Sequence, residues 1–536
     1  MRISPDAPVV TLATQSGAGP TQPLPSRRIG LVIPPSPFLL DERVFVSLGI
    51  LKVAASLEAS GHTVSVLDLS GVQNYAEVFT TYLDTSTDET VGFTTTTPQL
   101  PSALELALIA KAQRPDIRRI VGGPHITLIH SAAKLERKMG RSETGRATAS
   151  LAELAGTFDV LCAGDGEFGV LRAIQPDSPA IVDGDDRKGE FFMSNDAYDA
   201  TPLPARHLVD LRSYKYSIEG HASTSLIAQL GCPFNCGFCG GRHSNSLRVT
   251  RTRSIENIVG ELEMLHRTYG YTGFMLYDDE LNVNKSLVDL MNAISDLQER
   301  LGVEFRLRGF VKAELFTPAQ AAAMYRAGFR WLLCGFEAGH PRILENIQKR
   351  ATLADNTRAV EIAKQHNLQV KALMSIGHPG ESTETAEAIS RWLVDMAVDD
   401  FDCTIITTYP GTPYHDLSVP HDSLPGVWTY TARNSGDRLH MRPVDFSTTA
   451  DYYKGAPGEY KAYVFTDHLS SDGLIDARDE IERQVRSALK IPFNAARASI
   501  QYEHSMGQGL PPTILRSSMP VCDAPVAPSH GVIASI

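Results

Sequence analysis

The sequence is short of cysteine, with 7 in 536 residues. They are too few and too unevenly spaced for a disulfide framework. No apolar run is long enough to cross a bilayer, so no membrane span is expected. There is no basic excess either. Acidic side chains number 62 against 50 basic ones, a formal net charge of -12. Phosphate binding needs a basic face, so nucleic acid is not expected as the main partner. Residues 1–26 lack the basic start and apolar stretch of a secretory signal. Three of the cysteines sit in one short cluster. A reducing, cytoplasmic setting fits this usage best, and there such a cluster points to metal.

The length allows two or three domains. Residues 1–26 are rich in Pro, Ser, Thr, Gln and Gly without a period and are expected to be a disordered leader. From Arg27, short apolar segments alternate with helical periods. Residues 29–33, 64–69, 91–94, 119–122 and 158–162 read as strands. Residues 44–60 and 101–113 read as helices, and another starts near Glu167. Strands alternating with helices imply a parallel sheet, here a doubly wound, Rossmann-like domain over 27–175. Residues 176–222 carry Pro, Asp, Gly and Ser clusters and read as a linker. A second series has strands at 224–229, 273–277, 304–309, 331–335, 370–376 and 401–407. Thr317-Pro318 opens one of its helices and Gly328 closes it. Six βα units imply a partial (β/α)6 barrel over 223–419, with functional residues at the carboxyl ends of its strands. Residues 420–510 read as a small mixed extension. Its Tyr452, Tyr453, Tyr460 and Tyr463 either cap a site or pack a satellite core. Residues 511–536 read as a flexible tail.

The cysteine cluster runs Gly231-Cys232-Pro233-Phe234-Asn235-Cys236-Gly237-Phe238-Cys239. It directly follows the first strand of the second series. Three thiolates on one tight loop can hold three irons of a [4Fe-4S] cubane and leave the fourth iron open to a chelating amine and carboxylate. A zinc site is the competing reading. Zinc usually takes four ligands, and His243 is an available fourth.

Spacing and strand-to-loop position resemble the radical S-adenosylmethionine (SAM) superfamily. The likeness extends to Phe238 before the last cysteine and to Gly335-Phe336-Glu337-Ala338-Gly339, followed by Arg342 and Lys349-Arg350. It also covers Ser375-Ile376-Gly377-His378-Pro379-Gly380-Glu381 and Tyr409-Pro410-Gly411-Thr412-Pro413. The resemblance implies a [4Fe-4S] cluster on Cys232, Cys236 and Cys239, and a SAM site lined by Phe238, Glu337, Gly377, Pro379 and Gly380. Asp278, in the acidic stretch after the second barrel strand, is a candidate for the SAM amine. The plainer alternatives are that the glycines only make turns, that Glu337 only pairs with a cation, and that the acidic stretch is a solvated loop.

In the first domain, Gly122-Gly123-Pro124-His125 follows the fourth strand and Gly164-Asp165-Gly166-Glu167 the fifth. Both resemble the cobalamin-binding radical SAM group. Thr94 and Thr95, in a run of four threonines, offer hydroxyls to a corrin. A nucleotide-binding or vestigial Rossmann-like domain is the alternative. The Asp-x-His-x-x-Gly pattern that gives cobalt a histidine is absent, which implies a lower cobalt face without one.

Over about residues 29–415 the resemblance implies a cobalamin-dependent radical SAM methylase. A 5′-deoxyadenosyl radical takes hydrogen from an unactivated carbon, methylcobalamin supplies the methyl group, and a second SAM restores it. A small-molecule substrate would lie between the domains, with a one-electron reductant such as flavodoxin or ferredoxin as partner. General likeness to natural-product methylases suggests antibiotic biosynthesis. The candidate substrate is cytidylyl-2-hydroxyethylphosphonate, of the fosfomycin pathway, with Arg242, Arg306 and Arg308 as candidate contacts. Competing readings are cyclisation or oxidation without methyl transfer, and a cobalamin-binding sensor with a structural metal site.

Overall fold

Six parallel strands make the first sheet: β1 (Arg28–Ile33), β2 (Thr63–Asp68), β3 (Thr90–Thr94), β4 (Arg118–Gly122), β5 (Val160–Gly164) and β6 (Ile181–Gly184). Their order is β2-β1-β3-β4-β5-β6. The inner strands are near-continuous apolar runs, as a sheet covered on both faces requires; β1 is buried from Ile29 to Ile33. Strand order reverses between β1 and β3, so the crevice of this doubly wound domain lies at the carboxyl ends of the strands. β6 falls inside the stretch expected as a linker. It is only four residues long and ends in Asp183-Gly184, so its period is invisible in sequence. The computed structural model describes residues 25–36, 42–141, 143–449, 452, 461–491 and 517–519.

The second sheet has the order β15-β14-β13-β12-β11-β8-β7. β7 (Ser217–Ile218) pairs antiparallel with β8 (His221–Leu226). β9 (Gln229–Leu230) and β10 (Arg251–Thr252) form a short antiparallel ribbon that closes the base of the cysteine loop. β11 (Gly273–Leu276), β12 (Arg306–Val311), β13 (Phe329–Glu337), β14 (Gln369–Ile376) and β15 (Asp400–Ile405) run parallel to β8. This is the partial six-stranded barrel. Alternate residues face the helices or the lumen. Phe274, Leu276, Leu307, Leu332 and Val370 join the large core under the helices. Met275, Phe310, Leu333 and Leu373 form a separate inner cluster. The helix Pro318–Ala327 shows how local rules set boundaries. Thr317 and Gln320 make a reciprocal capping box, proline sits in the first turn, and Gly328 ends the helix at φ 106°.

After the barrel come β16 (Val419–Pro420), β17 (Trp428–Thr431), β18 (Arg438–Met441) and β19 (Val464–Thr466), an antiparallel sheet. The helix Ser471–Leu489 follows, and Arg486 Nη2 donates to Phe401 O at 3.1 Å, tying it to β15. Tyr452 is buried and packs edge-on against Tyr409 and Phe446, a satellite core. Tyr453, Tyr460, most of the expected leader and most of the expected tail lie outside the described residues. Residues 517–519 of that tail are docked. Ser517 bridges in parallel to Val72, and Met519 exchanges two hydrogen bonds with Asn74 just past β2.

A buried charge triad fixes the entry to the barrel. Glu261, on the helix Ile255–Tyr269, accepts from Arg206 at 2.5 Å and from Arg253 at 2.5 Å. The same guanidiniums donate to Ser225 O at 2.8 Å and Ile227 O at 2.9 Å, around the end of β8. Burial alone would raise the Glu261 pKa, but the two guanidiniums outweigh it and hold it below the ordinary carboxylate value. A carboxylate depressed on folding adds stability that is complete above its unfolded pKa and is lost as pH falls through the folded one. Glu261→Gln is therefore expected to lower unfolding stability near neutrality by about 3 kcal/mol. It should also flatten the loss of stability on acidification below the ordinary glutamate range. Urea unfolding of both proteins across that range checks both effects.

Candidate functional site

The cysteine loop is held from several sides. Cys232 N donates to Leu247 O at 3.1 Å, Gly237 N to Ile347 O at 2.7 Å and Gly241 N to Gly411 O at 2.9 Å. Gly231, at φ 82°, turns the chain out of β9; a Cβ there would stand 2.3 Å from Val249 O. Arg242 is buried and donates to the carbonyls of Cys232 at 2.9 Å, Phe234 at 2.6 Å and Gly240 at 3.1 Å. Its place is a brace inside the loop, unlike the substrate contact expected of it. Cys232, Cys236 and Cys239 are free thiols and all half-buried. Burial pushes all three upward, Cys239 to about 12, against the pull of Arg242 on Cys232 and Cys239 and of Lys349 on Cys236. Such thiols ionise when a metal takes them, which fits a cluster held by three thiolates. Among the described residues no three His, Cys, Asp or Glu side chains gather around a single-ion site. His243 faces Asp416 at 3.9 Å.

At the barrel mouth a β-bulge between Gly335 and Glu337 re-aims the end of β13. Glu337 sits at φ 66°, a left-handed conformation that a non-glycine residue adopts at a cost of roughly 1–3 kcal/mol. Its carboxylate lies 3.1 Å from Lys349 Nζ and accepts from Ser375 Oγ at 2.9 Å. Ser375 Oγ is also 2.8 Å from His378 Nε2. A hydroxyl has one proton, and here it goes to Glu337, so His378 Nε2 carries hydrogen and donates to Ser375. Burial lowers the His378 pKa to about 3, so the ring is neutral. Phe238 stands edge-on to that ring, centroids 5.4 Å apart. Phe238 and Glu337 keep partial exposure.

The other SAM candidates are buried, Gly377, Pro379 and Gly380 among them. The extension covers them: Val464 lies against Gly377 and Asp437 against Gly380. Pro379 O accepts from Asn346 Nδ2 at 2.8 Å. Asp278 is buried and accepts from the backbone of Ala228 at 2.7 Å and Gln229 at 3.1 Å, joining the ends of β11 and β8. Burial pushes its carboxyl up to about 7. These positions shape the mouth from behind.

In the first domain the carboxyl ends of β3, β4 and β5 lie side by side. Thr94, Gly122, Gly123 and Gly164 keep partial exposure there, and Pro124 is exposed. Gly123, at φ 101°, lies so close to Thr95 that a Cβ would meet its N and O at 2.7 Å. A Cβ on Gly164, at φ 83°, would meet Gly184 backbone at 2.3 Å. The result is a shallow rim of backbone, a form that suits a large flat ring. Thr95 is buried and caps Gly122 O through both its N–H and its hydroxyl. His125 is buried, with Nδ1 on Thr97 Oγ1 at 2.9 Å, and burial lowers its pKa to about 4. Its Nε2 has no hydrogen-bond partner among the described residues. Gly166 approaches Val53 of the helix Leu48–Ala59. Asp165 pairs with Arg251 of β10, and Glu167 is buried beside Lys52, so neither faces the crevice. Sequence reading missed Arg251 because nothing local marks a partner 86 residues away.

The two remaining arginine candidates also differ from expectation. Arg306 begins β12, at the end of the barrel away from the cysteines, and pairs with Glu219 at 3.1 Å and Glu304 at 3.3 Å. Arg308 does face the lumen. It is buried, donates to Tyr216 Oη at 3.2 Å and lies 5.7 Å from the Trp331 ring.

Residues 226–393 match the radical SAM superfamily and residues 42–151 the B12 binding domain. The chain is 28% identical over 406 residues to an uncharacterized methyltransferase of Pyrococcus horikoshii, covering 74% of this chain and 84% of that one. It is 22% identical over 237 residues to the cytidylyl-2-hydroxyethylphosphonate methyltransferase of Streptomyces wedmorensis, covering 41% and 43%. Its fold resembles that of the radical SAM methyltransferase TsrM of Kitasatospora setae, solved with tryptophan substrate and a SAM analogue. The TM-score is 0.59 at 16% identity, over 89% of this chain and 93% of that one. No helix among the described residues is long and apolar enough to cross a membrane.

The two loops give opposite expectations for two variants. Cys236→Ala, reconstituted with iron, sulfide and hydroxocobalamin, should lose most of its iron and acid-labile sulfide and keep its corrinoid. Gly123→Val should keep its iron and lose its corrinoid, because the side chain collides with Thr95. Iron, sulfide and corrinoid analysis of each desalted protein checks the pair.

Proposed function

We propose the reaction of this chain from the premise that it is a cobalamin-dependent radical SAM methyltransferase: it places a methyl group on an unactivated carbon of a small molecule, in the assembly of a natural product. The observation that carries this reading is the meeting of two sets of strand ends. The loops after β4 and β5 of one sheet come against the cysteine loop of the other. Leu128, in the helix Pro124–Lys138 that follows β4, lies at the sites where a Cβ would grow from Gly240 and from Gly411. A substrate between them reaches both cofactors at once, and pockets between domains are common ligand sites.

When bound, the cluster, SAM and cobalamin supply one-electron cleavage of SAM and a transferable methyl group. The chain's own part is to hold and to orient. Cys232, Cys236 and Cys239 would ligate the cluster, with Arg242 fixing the loop that carries them. Glu337 would meet the polar end of SAM. Lys349 and Ser375 hold its carboxylate and aim it, and neutral His378 holds the serine. Phe238 offers an apolar edge beside it. Thr94, Gly122, Gly123, Pro124 and Gly164 would receive the corrin, and Thr95 and His125 stiffen the turns behind them. Water is kept out from behind by the extension, through Asp437 and Val464. A one-electron carrier such as flavodoxin or ferredoxin, in a reducing cytoplasm, would serve the cluster.

A second reading narrows the substrate to a cytidylylated phosphonate, and the likeness to the Streptomyces wedmorensis enzyme supports it. The arginines expected to meet that substrate have other partners, which weighs against it. Anaerobic turnover separates the readings. Reconstituted protein with SAM, a strong reductant and the right substrate should form S-adenosylhomocysteine and 5′-deoxyadenosine together. 5′-Deoxyadenosine without S-adenosylhomocysteine would overturn methyl transfer in favour of cyclisation or oxidation.

A further inference from the structure

The lumen of the barrel is walled by rings on one side. The segment after β1 supplies one of them. Glu42 accepts from Gly71 N at 2.6 Å. Arg43 donates to Ser70 O at 2.8 Å, to Asp68 Oδ2 at 2.7 Å and to Ser213 Oγ at 3.0 Å. Anchored in this way to the end of β2, the segment turns Val44 and Phe45 into the inner cluster of the barrel. There Phe45 meets Tyr216 at 4.8 Å and Tyr277 at 5.1 Å between centroids, and Tyr277 meets Phe310 at 6.1 Å. This wall lies where the strand ends of the first domain face the barrel.

Exposure along the strands marks open space in front of it. On β12 and just past its end, Arg308 and Lys312 are buried, yet Phe310 between them is half-exposed. On β14, Lys371 and Ser375 are buried, yet Leu373 between them is half-exposed. All six side chains point the same way, so Phe310 and Leu373 form an apolar layer of the lumen that solvent reaches, between layers whose side chains are buried. The cations around it have partners. Arg308 has Tyr216 and Trp331. Lys312 pairs with Glu314 at 2.9 Å and donates to Lys349 O at 3.0 Å. Lys371 pairs with Asp400 at 2.8 Å and Asp402 at 3.4 Å. A dianionic substrate would lose its hydration there and meet only one of these cations, Arg308, whose contacts are a hydroxyl and a ring rather than a carboxylate.

We propose that Phe45, Tyr277, Phe310 and Leu373, with Tyr216 packed behind them, form the substrate-facing wall of the reaction chamber, and that the substrate is an uncharged molecule with an apolar or aromatic body. This rests on the methyltransferase reading and narrows it away from a phosphonate. The holoenzyme, carrying cluster and corrinoid, is titrated with N-phenyl-1-naphthylamine, an uncharged apolar fluorophore. Saturable fluorescence enhancement is expected. Phe45→Ser and Phe310→Ser should each weaken binding about tenfold, a change of about 1.4 kcal/mol. Leu373→Trp, which fills the chamber without removing a ring, should weaken it comparably. Arg306→Gln, at the far end of the barrel, should leave it unchanged, and neither cytidine 5′-monophosphate nor 2-hydroxyethylphosphonate should displace the probe. Iron and corrinoid contents show which variants are folded. If Phe45→Ser or Phe310→Ser loses its cofactors, Leu373→Trp decides. Unchanged probe affinity in the loaded variants, or displacement by either anion, overturns the proposal. Absence of S-adenosylhomocysteine in turnover with an intact probe response would instead sink the methyltransferase reading and leave the chamber standing.

Discussion

A buried ion pair between the two sheets is the constraint on which the site depends. Arg251 lies in β10, at the base of the cysteine loop, and its side chain is 1% exposed. Its carboxylate partner is Asp165, just past β5 of the other sheet. Burial raises the Asp165 pKa and the guanidinium opposes it. Two charges taken out of water need each other, and a lone survivor is costly, about 3–5 kcal/mol. The pair therefore locks the loop after β5 to the ribbon that carries the thiols. Asp185 makes the same join beside it, accepting from Ser244 Oγ at 2.6 Å and Ser246 N at 2.9 Å. The two sets of strand ends are thus held in register by charge and hydrogen bonds together with the apolar core that runs through both domains.

How much of this was legible in the sequence depended on how local the signal was. The alternating strands and helices were legible because each carries its own period and its own caps. The cysteine loop was legible because spacing on a single turn is chemistry written in a line. The order of the sheets and the lumen contacts were not, since they join residues hundreds of positions apart. Arg306 and Arg308 show the difference. Their alternation on one strand was readable, but which end of the barrel each occupies, and what each touches, came only with Glu219 and Tyr216. Asp278 and Asp165 teach the same point from the other sign. Acidic residues after strands looked ready for a ligand; Asp165 is taken by Arg251, and Asp278 spends Oδ1 on two backbone amides while its buried Oδ2 has no partner among the described residues. The loop from Gly377 to Gly380 was read as part of the SAM site, with a plain turn as the alternative. Its burial was hidden because the covering residues belong to a region with little sequence period.

The site combines closed and open parts. Behind the barrel mouth, Ser375, His378 and Glu337 form a chain of neutral and charged hydrogen bonds that leaves little freedom to reorient. The crevice of the first sheet is the reverse: glycine backbone with few side chains, which adapts by shape rather than by charge. Between them the lumen presents rings. In the proposed reading, orientation falls to the polar end, accommodation to the glycine rim, and selection to the apolar wall. Different chemistries on one frame would then come from changing the wall alone.

The docking of residues 517–519 beside β2 has a consequence for the order in which the molecule is made. Asn74 and Met519 are separated by 445 positions. A ribosome adding about 5–20 residues per second needs on the order of tens of seconds to a minute and a half to produce the second after the first. Through that interval the edge of the first sheet beside β2 stands without this contact, so that edge is completed only after the barrel and the extension have been made.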